Sequence, residues 1–250
     1  MRITICENKM ELGRQAAVLG RHHIKATALR RGWVNVAFVT GKSQLEMLKV
    51  LRALDIDWTK ANIFLIDEYV GLEDGHKASS ETFLKENFLK YIPEPKSFHH
   101  ISRSSDTDKT ISDLNALMKD YPLDVAFICI GDNGHLGFND PPADLDTNDP
   151  YILVEIDQRS KRQHVNEGWF GNVKEVPETA ITMSVNEILS AKYIVCACPE
   201  REKAMAVAMT LYDEISSASP CASLRMRSEC TIFLDRQSSY LCLSDLRDKR

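Results

Sequence analysis

Short apolar runs separated by helix-length stretches recur along this chain, and that alternation restricts the possible folds more than any other feature. Residues 35–39, 62–67, 123–130, 180–185, 193–198 and 230–235 read as strands, several of them apolar enough to be buried on both faces. Helical segments are predicted near residues 9–30, 43–54, 79–90, 106–119, 186–190 and 200–212. A βαβα order of this kind predicts an α/β fold with a mostly parallel sheet and helices on both faces. No Pro-, Gly- or Ser-rich linker divides the 250 residues, so a single domain spanning 1–250 is expected.

Composition narrows the function classes. The formal charge of −5 and the absence of any basic cluster beyond pairs such as Arg30-Arg31 argue against a nucleic-acid partner, whose phosphates this surface would repel. The segment Met1-Arg2-Ile3-Thr4-Ile5-Cys6-Glu7 lacks the charged-then-apolar pattern of a signal peptide, and no apolar stretch approaches the ~20 residues of a bilayer span. A cytoplasmic protein without a membrane partner is the expectation. Seven cysteines form an odd count without metal-like spacing, and Cys129, Cys196, Cys198 and Cys230 fall inside apolar strand candidates. They read as small core residues in a reducing compartment, with no metal site.

In such a fold the loops that follow strands carry the chemistry. The richest is Gly131-Asp132-Asn133-Gly134-His135-Leu136-Gly137-Phe138-Asn139-Asp140-Pro141, which brings together an imidazole (His135), an amide (Asn133) and a carboxylate (Asp140). Acid–base chemistry fits this set, and an ordinary βα turn with a solvated histidine fits it too. The loop Val39-Thr40-Gly41-Lys42-Ser43-Gln44 can hold a phosphate through its backbone N–H groups, the Thr40 and Ser43 hydroxyls and the Lys42 ammonium. A serine helix cap is the other reading of that loop. Ile66-Asp67-Glu68-Tyr69 ends an apolar run with two carboxylates that point to opposite sides in β geometry, Asp67 being the one expected in the cleft. Acidic residues also stand at strand ends simply because the chain leaves the core. Lys203, opening a helix after the 193–198 run, can reach an anion or sit solvated on a first turn.

Taken together the loops resemble the glucosamine-6-phosphate deaminase branch of the glucosamine/galactosamine-6-phosphate isomerase superfamily, which also contains 6-phosphogluconolactonase. The shared motifs are T-G-x-S at 40–43, D-E-Y-V-G at 67–71, G-x-N-G-H-x-G-F-N-D-P at 131–141, E-G-W-F at 167–170, V-P-x-x-A-I-T-M at 176–183 and the Lys203 helix, in the family's order. The Phe138-Asn139-Asp140-Pro141 ending is similar to the deaminases, whereas lactonases usually carry D-E-R in place of Asp67-Glu68-Tyr69.

The resemblance implies a Rossmann-like sheet with a small lid at about 157–172 and a small-molecule sugar phosphate as partner. It also implies an aldose–ketose isomerisation coupled to hydrolytic loss of ammonia, without cofactor. By family position Asp67 moves the C2 proton of the substrate. His135 serves ring opening, held by Asp140 and Asn133, while Thr40, Gly41, Lys42, Ser43 and Lys203 hold the phosphate. The chain departs from the family in four places. Asn133 stands where many members have Asp, Asp140 where they have Glu, and Lys42 where they have a small residue, which suggests that Lys42 points to solvent. The lid region holds Arg159, Lys161 and Arg162, yet its Glu167-Gly168-Trp169-Phe170 core lacks the arginine that members bring to the phosphate. Galactosamine 6-phosphate as substrate, a lactonase, and a non-catalytic sugar-phosphate sensor are the alternative readings, and a homo-oligomer is compatible with all of them.

Overall fold

The computed structural model describes residues 1–242. In chain order the elements are β1 (Arg2–Ile5), α1 (Lys9–Arg31), β2 (Val34–Phe38), α2 (Leu45–Leu51), β3 (Ala61–Leu65), β4 (Asp67–Tyr69), α3 (Ser80–Asn87), β5 (Ser97–His99) and α4 (Thr107–Met118). There follow β6 (Val125–Ile128), β7 (Tyr151–Glu155), α5 (Gln158–Asn166), β8 (Thr179–Met183), α6 (Val185–Ser190), β9 (Tyr193–Cys198), α7 (Ala204–Tyr212) and β10 (Cys230–Leu234).

The local causes are legible. Asn8 starts α1 by accepting from the Met10 and Glu11 N–H groups, and Gly32 ends it in the left-handed region at φ 81°. The strands VNVAF, ANIFL and VAFI of β2, β3 and β6 are buried throughout, which requires cover on both faces of their sheet. Seven strands form that sheet in the order β1-β10-β9-β6-β2-β3-β5, every pair parallel. From β2 the chain builds outward through β3 and β5, then returns to the other side of β2 to lay down β6, β9 and β10. The strand order therefore reverses between β2 and β6, and the loops leaving those two strands diverge to open a crevice at their carboxyl ends.

Two predicted strands belong elsewhere. The 62–67 run breaks at Ile66: β3 ends at Leu65, and Asp67–Tyr69 starts a second sheet, antiparallel, of order β4-β8-β7. The 180–185 segment lies in this small sheet as β8 and not in the main one. Its partner β7 escaped sequence reading because it is only half-buried, as are the edge strands β1 and β5. The lid region contains a helix, α5, that was not anticipated, since its composition is almost wholly polar. Among the described residues no helix is long and apolar enough to cross a membrane.

Alternation in β4 sends Asp67 and Glu68 to opposite sides, as expected. Glu68, fully buried, accepts from the N–H groups of Tyr69, Ser80 and Glu81 at 3.0, 3.1 and 3.1 Å and from the Ser79 hydroxyl at 2.7 Å. One carboxylate thereby ties β4 to the first turn of α3, where the free N–H groups and the helix dipole favour negative charge. The Arg103 guanidinium lies 3.6 Å away and adds charge balance. Glu68→Ala leaves these buried donors unpaired and is expected to cost about 3 kcal/mol or more in urea denaturation. A loss below about 1 kcal/mol would show that water replaces the carboxylate.

Candidate active site

A cleft opens at the point where the strand order reverses. Its walls include Val39, Thr40, Gly41, Lys42 and Ser43 after β2, Asp67 and Tyr69 of β4, Cys129, Ile130, Gly131, His135 and Gly137 after β6, and Lys203 before α7. All of the residues expected to touch ligand thus face one space. Asn133 and Asp140 stand behind His135 and do not line it.

Asp67 is 5% exposed, and its Oδ1 accepts from the Ser80 hydroxyl at 3.0 Å. Burial lifts its carboxyl to about 7, helped by the nearby charge of Glu68, while the Ser80 hydrogen bond and the His135 imidazole pull the other way. Ser80 also shares a hydrogen bond with Thr40 at 2.8 Å, so the strand-end loop is linked to the carboxylate through one hydroxyl. Gly137, at φ 62°, passes so close that a Cβ there would stand 2.7 Å from Thr182 Oγ1 and 3.3 Å from Asp67 Oδ2. The 131–141 loop is anchored against the second sheet at the same point. The Phe138 N–H donates to Thr182 Oγ1, and the Asn139 amide donates to the Leu136 and Met183 carbonyls.

His135 sits in a polar nest. Its Nδ1 lies 3.0 Å from Asp140 Oδ1, and its backbone N–H donates to Asn133 Oδ1 at 3.1 Å. Because an ionised carboxylate only accepts, Nδ1 carries the proton and Nε2 is the basic nitrogen. The Asn133 amide donates to the same Asp140 oxygen at 2.8 Å, so Asn133 acts on the carboxylate and the main chain rather than on the ring. Ser160, from α5, also donates to Asp140, whose second oxygen receives the Asp157 N–H at 2.9 Å. Burial alone would raise the Asp140 carboxyl, but the hydrogen bonds from His135, Asn133 and Ser160 hold it well below the usual range. The ring itself rests on Gly131, where a Cβ would come within 2.1 Å of it. The reading of a solvated turn histidine is excluded by this burial and by these bonds.

The strand-end loop after β2 has the extended, left-handed Gly41 (φ 122°) before a short 3-10 turn, Lys42–Gln44, with no side-chain cap. Ser43 is therefore not a helix cap, which removes the alternative reading of that loop. Lys203 is buried, with its ammonium 2.7 Å from Asp132 Oδ1. Burial disfavours its charge, yet the neighbouring Cys129 and Asp132 hold it above the ordinary lysine value. Lys42 does not simply point to solvent: its stem is exposed, but Nζ donates to the Glu167 carbonyl of the lid and lies 5.3 Å from the Trp169 ring centre.

The segment expected to form a lid is helix α5 with the turn after it. Its residues Gln163, His164, Glu167 and Trp169 line the cleft, while Arg159 and Arg162 are exposed and Lys161 pairs with Glu178. None of these three cations reaches the cleft. His164 shares a hydrogen bond with the Tyr69 hydroxyl at 2.8 Å, and burial followed by the charge of His135 lowers its imidazole to about 4. Cys129 is the one cysteine of seven that is not fully buried and lines the cleft, contrary to a purely core role. Tyr69, Glu167 and Trp169 fall inside motifs noted in the sequence but carried no assigned role, and Ser80, Ser160, Lys77, Gln163 and His164 were not singled out, since isolated Ser, Lys, Gln or His residues far apart in the chain carry no pattern.

Comparison with known proteins agrees with this architecture. The family model described as glucosamine-6-phosphate isomerases/6-phosphogluconolactonase matches residues 7–233. A glucosamine-6-phosphate deaminase from Streptococcus pneumoniae serotype 4 is 30% identical over 241 residues, covering 96% of this chain and 100% of that one. Among solved structures, a monomeric glucosamine-6-phosphate deaminase superposes with a TM-score of 0.88 at 24% identity, covering 96% of this chain and 100% of that chain. The 6-phosphogluconolactonase of Trypanosoma brucei does so at 0.80 with 14% identity, covering 96% and 98%. With a family match over nearly the whole chain and its strand-end loops meeting in one cleft, the chain belongs to the glucosamine-6-phosphate isomerase/6-phosphogluconolactonase family.

Proposed function

We propose that this protein converts glucosamine 6-phosphate and water to fructose 6-phosphate and ammonia. The observation that carries this reading is Asp67: a buried carboxyl raised to about 7, bonded to a single hydroxyl and opening onto the cleft that His135 shares. Lactone hydrolysis needs one base to activate water, and the His135–Asp140 pair supplies that alone. Moving a proton between two carbons needs a second base on the substrate's skeleton, and a carboxylate matched to neutral pH suits that task.

In this reaction His135 Nε2 takes the proton of the anomeric hydroxyl and returns it to the ring oxygen as the C1–O5 bond breaks. The Asp67 carboxylate then removes the C2 proton while the C1 oxygen gains one from water, giving an enolamine; Asp67 returns its proton to C1 and the nitrogen gives one up to the hydroxide so formed. The resulting C2 imine adds water, and the carbinolamine expels ammonia to leave the ketose phosphate. Thr40, Gly41, Ser43 and Lys203 hold the phosphate at the other end of the cleft, so a remote group orients the reacting carbons. The Asp140, Asn133 and Ser160 network keeps His135 in the tautomer that leaves Nε2 basic.

Ammonia release from glucosamine 6-phosphate, measured beside galactosamine 6-phosphate and 6-phosphogluconolactone, tests the reading. Turnover is expected with an amino sugar phosphate and is expected to vanish in folded Asp67→Asn. Hydrolysis of the lactone that survives Asp67→Asn, with no ammonia from either amino sugar, would replace the deaminase by a lactonase.

The pH profile provides a separate check. Asp67 must be ionised to accept the C2 proton, so kcat/KM is expected to rise as pH passes through about 7. Ser80→Ala removes a hydrogen bond that favours the ionised form, which raises the carboxyl further and moves this limb to higher pH. A uniform loss of rate at every pH, without displacement of the limb, would assign Ser80 a purely structural part.

A further inference from the structure

The charges around the cleft do not balance as a phosphate ligand requires. Lys203 is already paired with Asp132. The lid brings in Glu167, whose carboxylate accepts from Gln163 Nε2 and Trp169 Nε1, each at 2.8 Å. Asp67 adds negative charge as it ionises. With Lys203 as the only cation, this space would offer a dianion no net attraction.

Two more ammonium groups stand at its mouth. Lys42 reaches from the strand-end loop to the carbonyl of Glu167, and Lys77, from the loop before α3, donates to the carbonyl of the next residue, Gly168, at 2.7 Å. Both line the cleft, and from two neighbouring segments, joined by the Thr40–Ser80 hydrogen bond, they reach successive carbonyls of one turn. Neither ammonium has a carboxylate partner among the described residues, and both side chains are exposed along their stems. A neutral carbonyl is a weaker acceptor for an ammonium than a phosphate oxygen, so each bond is exchangeable for a stronger one. Long flexible lysine stems make that exchange without backbone movement.

We propose that Lys42 and Lys77 form a two-lysine clamp for the substrate's phosphate, trading the lid carbonyls for phosphate oxygens and setting the selectivity for phosphorylated over neutral sugars. The inference rests on the sugar-phosphate reading above and adds Lys77, which no motif in the sequence marks.

Calorimetric titration with fructose 6-phosphate, inorganic phosphate and unphosphorylated fructose tests it on the wild type, Lys42→Ala, Lys77→Ala, the double variant and Lys77→Arg. Each alanine variant is expected to weaken fructose 6-phosphate binding roughly tenfold and the double variant about a hundredfold, the scale of charge-assisted hydrogen bonds. Lys77→Arg is expected to regain most of the affinity. In turnover, KM for the amino sugar phosphate is expected to rise more than kcat falls. Unchanged affinity in a folded double variant overturns the clamp. So does equal weakening of the phosphorylated and the neutral sugar, which would make the lysines a latch for the lid alone. Normal ammonia release with unaltered binding in the double variant overturns the clamp and keeps the deaminase reading. Lysine-dependent binding without ammonia release from any amino sugar phosphate overturns the deaminase reading and keeps the clamp.

Discussion

The buried carboxylate of Glu68 is the interaction on which the site's geometry depends. By accepting two N–H groups and one hydroxyl at the start of α3, besides the N–H of Tyr69 in its own strand, it joins a strand of the small sheet to a helix that flanks the cleft. Asp67 precedes it on that strand and Ser80 sits in the helix turn it holds, so a single anchor sets both partners of the Asp67–Ser80 hydrogen bond. An unpaired charge at that depth would be costly, and satisfying it leaves little freedom for the first turn of α3. Asp67, the carboxylate proposed to move the proton, inherits its position from Glu68.

Two carboxylates in the same site are driven in opposite directions by their surroundings. Asp67 has one hydroxyl donor and is otherwise desolvated, which lifts it to about 7. Asp140 is also buried, but the imidazole, an amide, a hydroxyl and a backbone N–H all donate to it and hold it ionised. The difference lies in fuller desolvation of Asp67 and in the greater number of donors around Asp140. It divides the roles into a group that can gain and lose a proton near neutrality and a group that fixes a neighbouring imidazole.

How far the site was legible follows from where its residues sit in the chain. Asp67, His135, Thr40, Ser43 and Lys203 each lie in or next to a strand-end loop, and loops at strand carboxyl ends converge in a parallel sheet. Asn133 and Asp140 share the His135 loop, so their association with it is local. Ser160 and Lys77 reach the site from a polar helix and an irregular loop, where no periodicity separates a functional serine or lysine from a solvated one. The Lys42 side chain was misread for a related reason: the lid turn that receives its ammonium is 125 residues away in sequence.

Local chemistry determined the mostly parallel sheet, since short β-rich apolar runs alternating with helices are buried under those helices, while the strand order whose reversal opens the crevice was set by tertiary pairing. It also determined that Asp67 and Glu68 face opposite ways, because a strand alternates. Tertiary packing alone decided that Asp67 belongs to a second sheet and that Ser80 is the partner of its ionisable oxygen. Packing also decided that Lys42 and Lys77 meet over one turn of the lid. Those contacts join segments with no shared local pattern. Their distances, and the desolvation that moves a carboxyl to neutral pH, come from burying distant parts of the chain against one another.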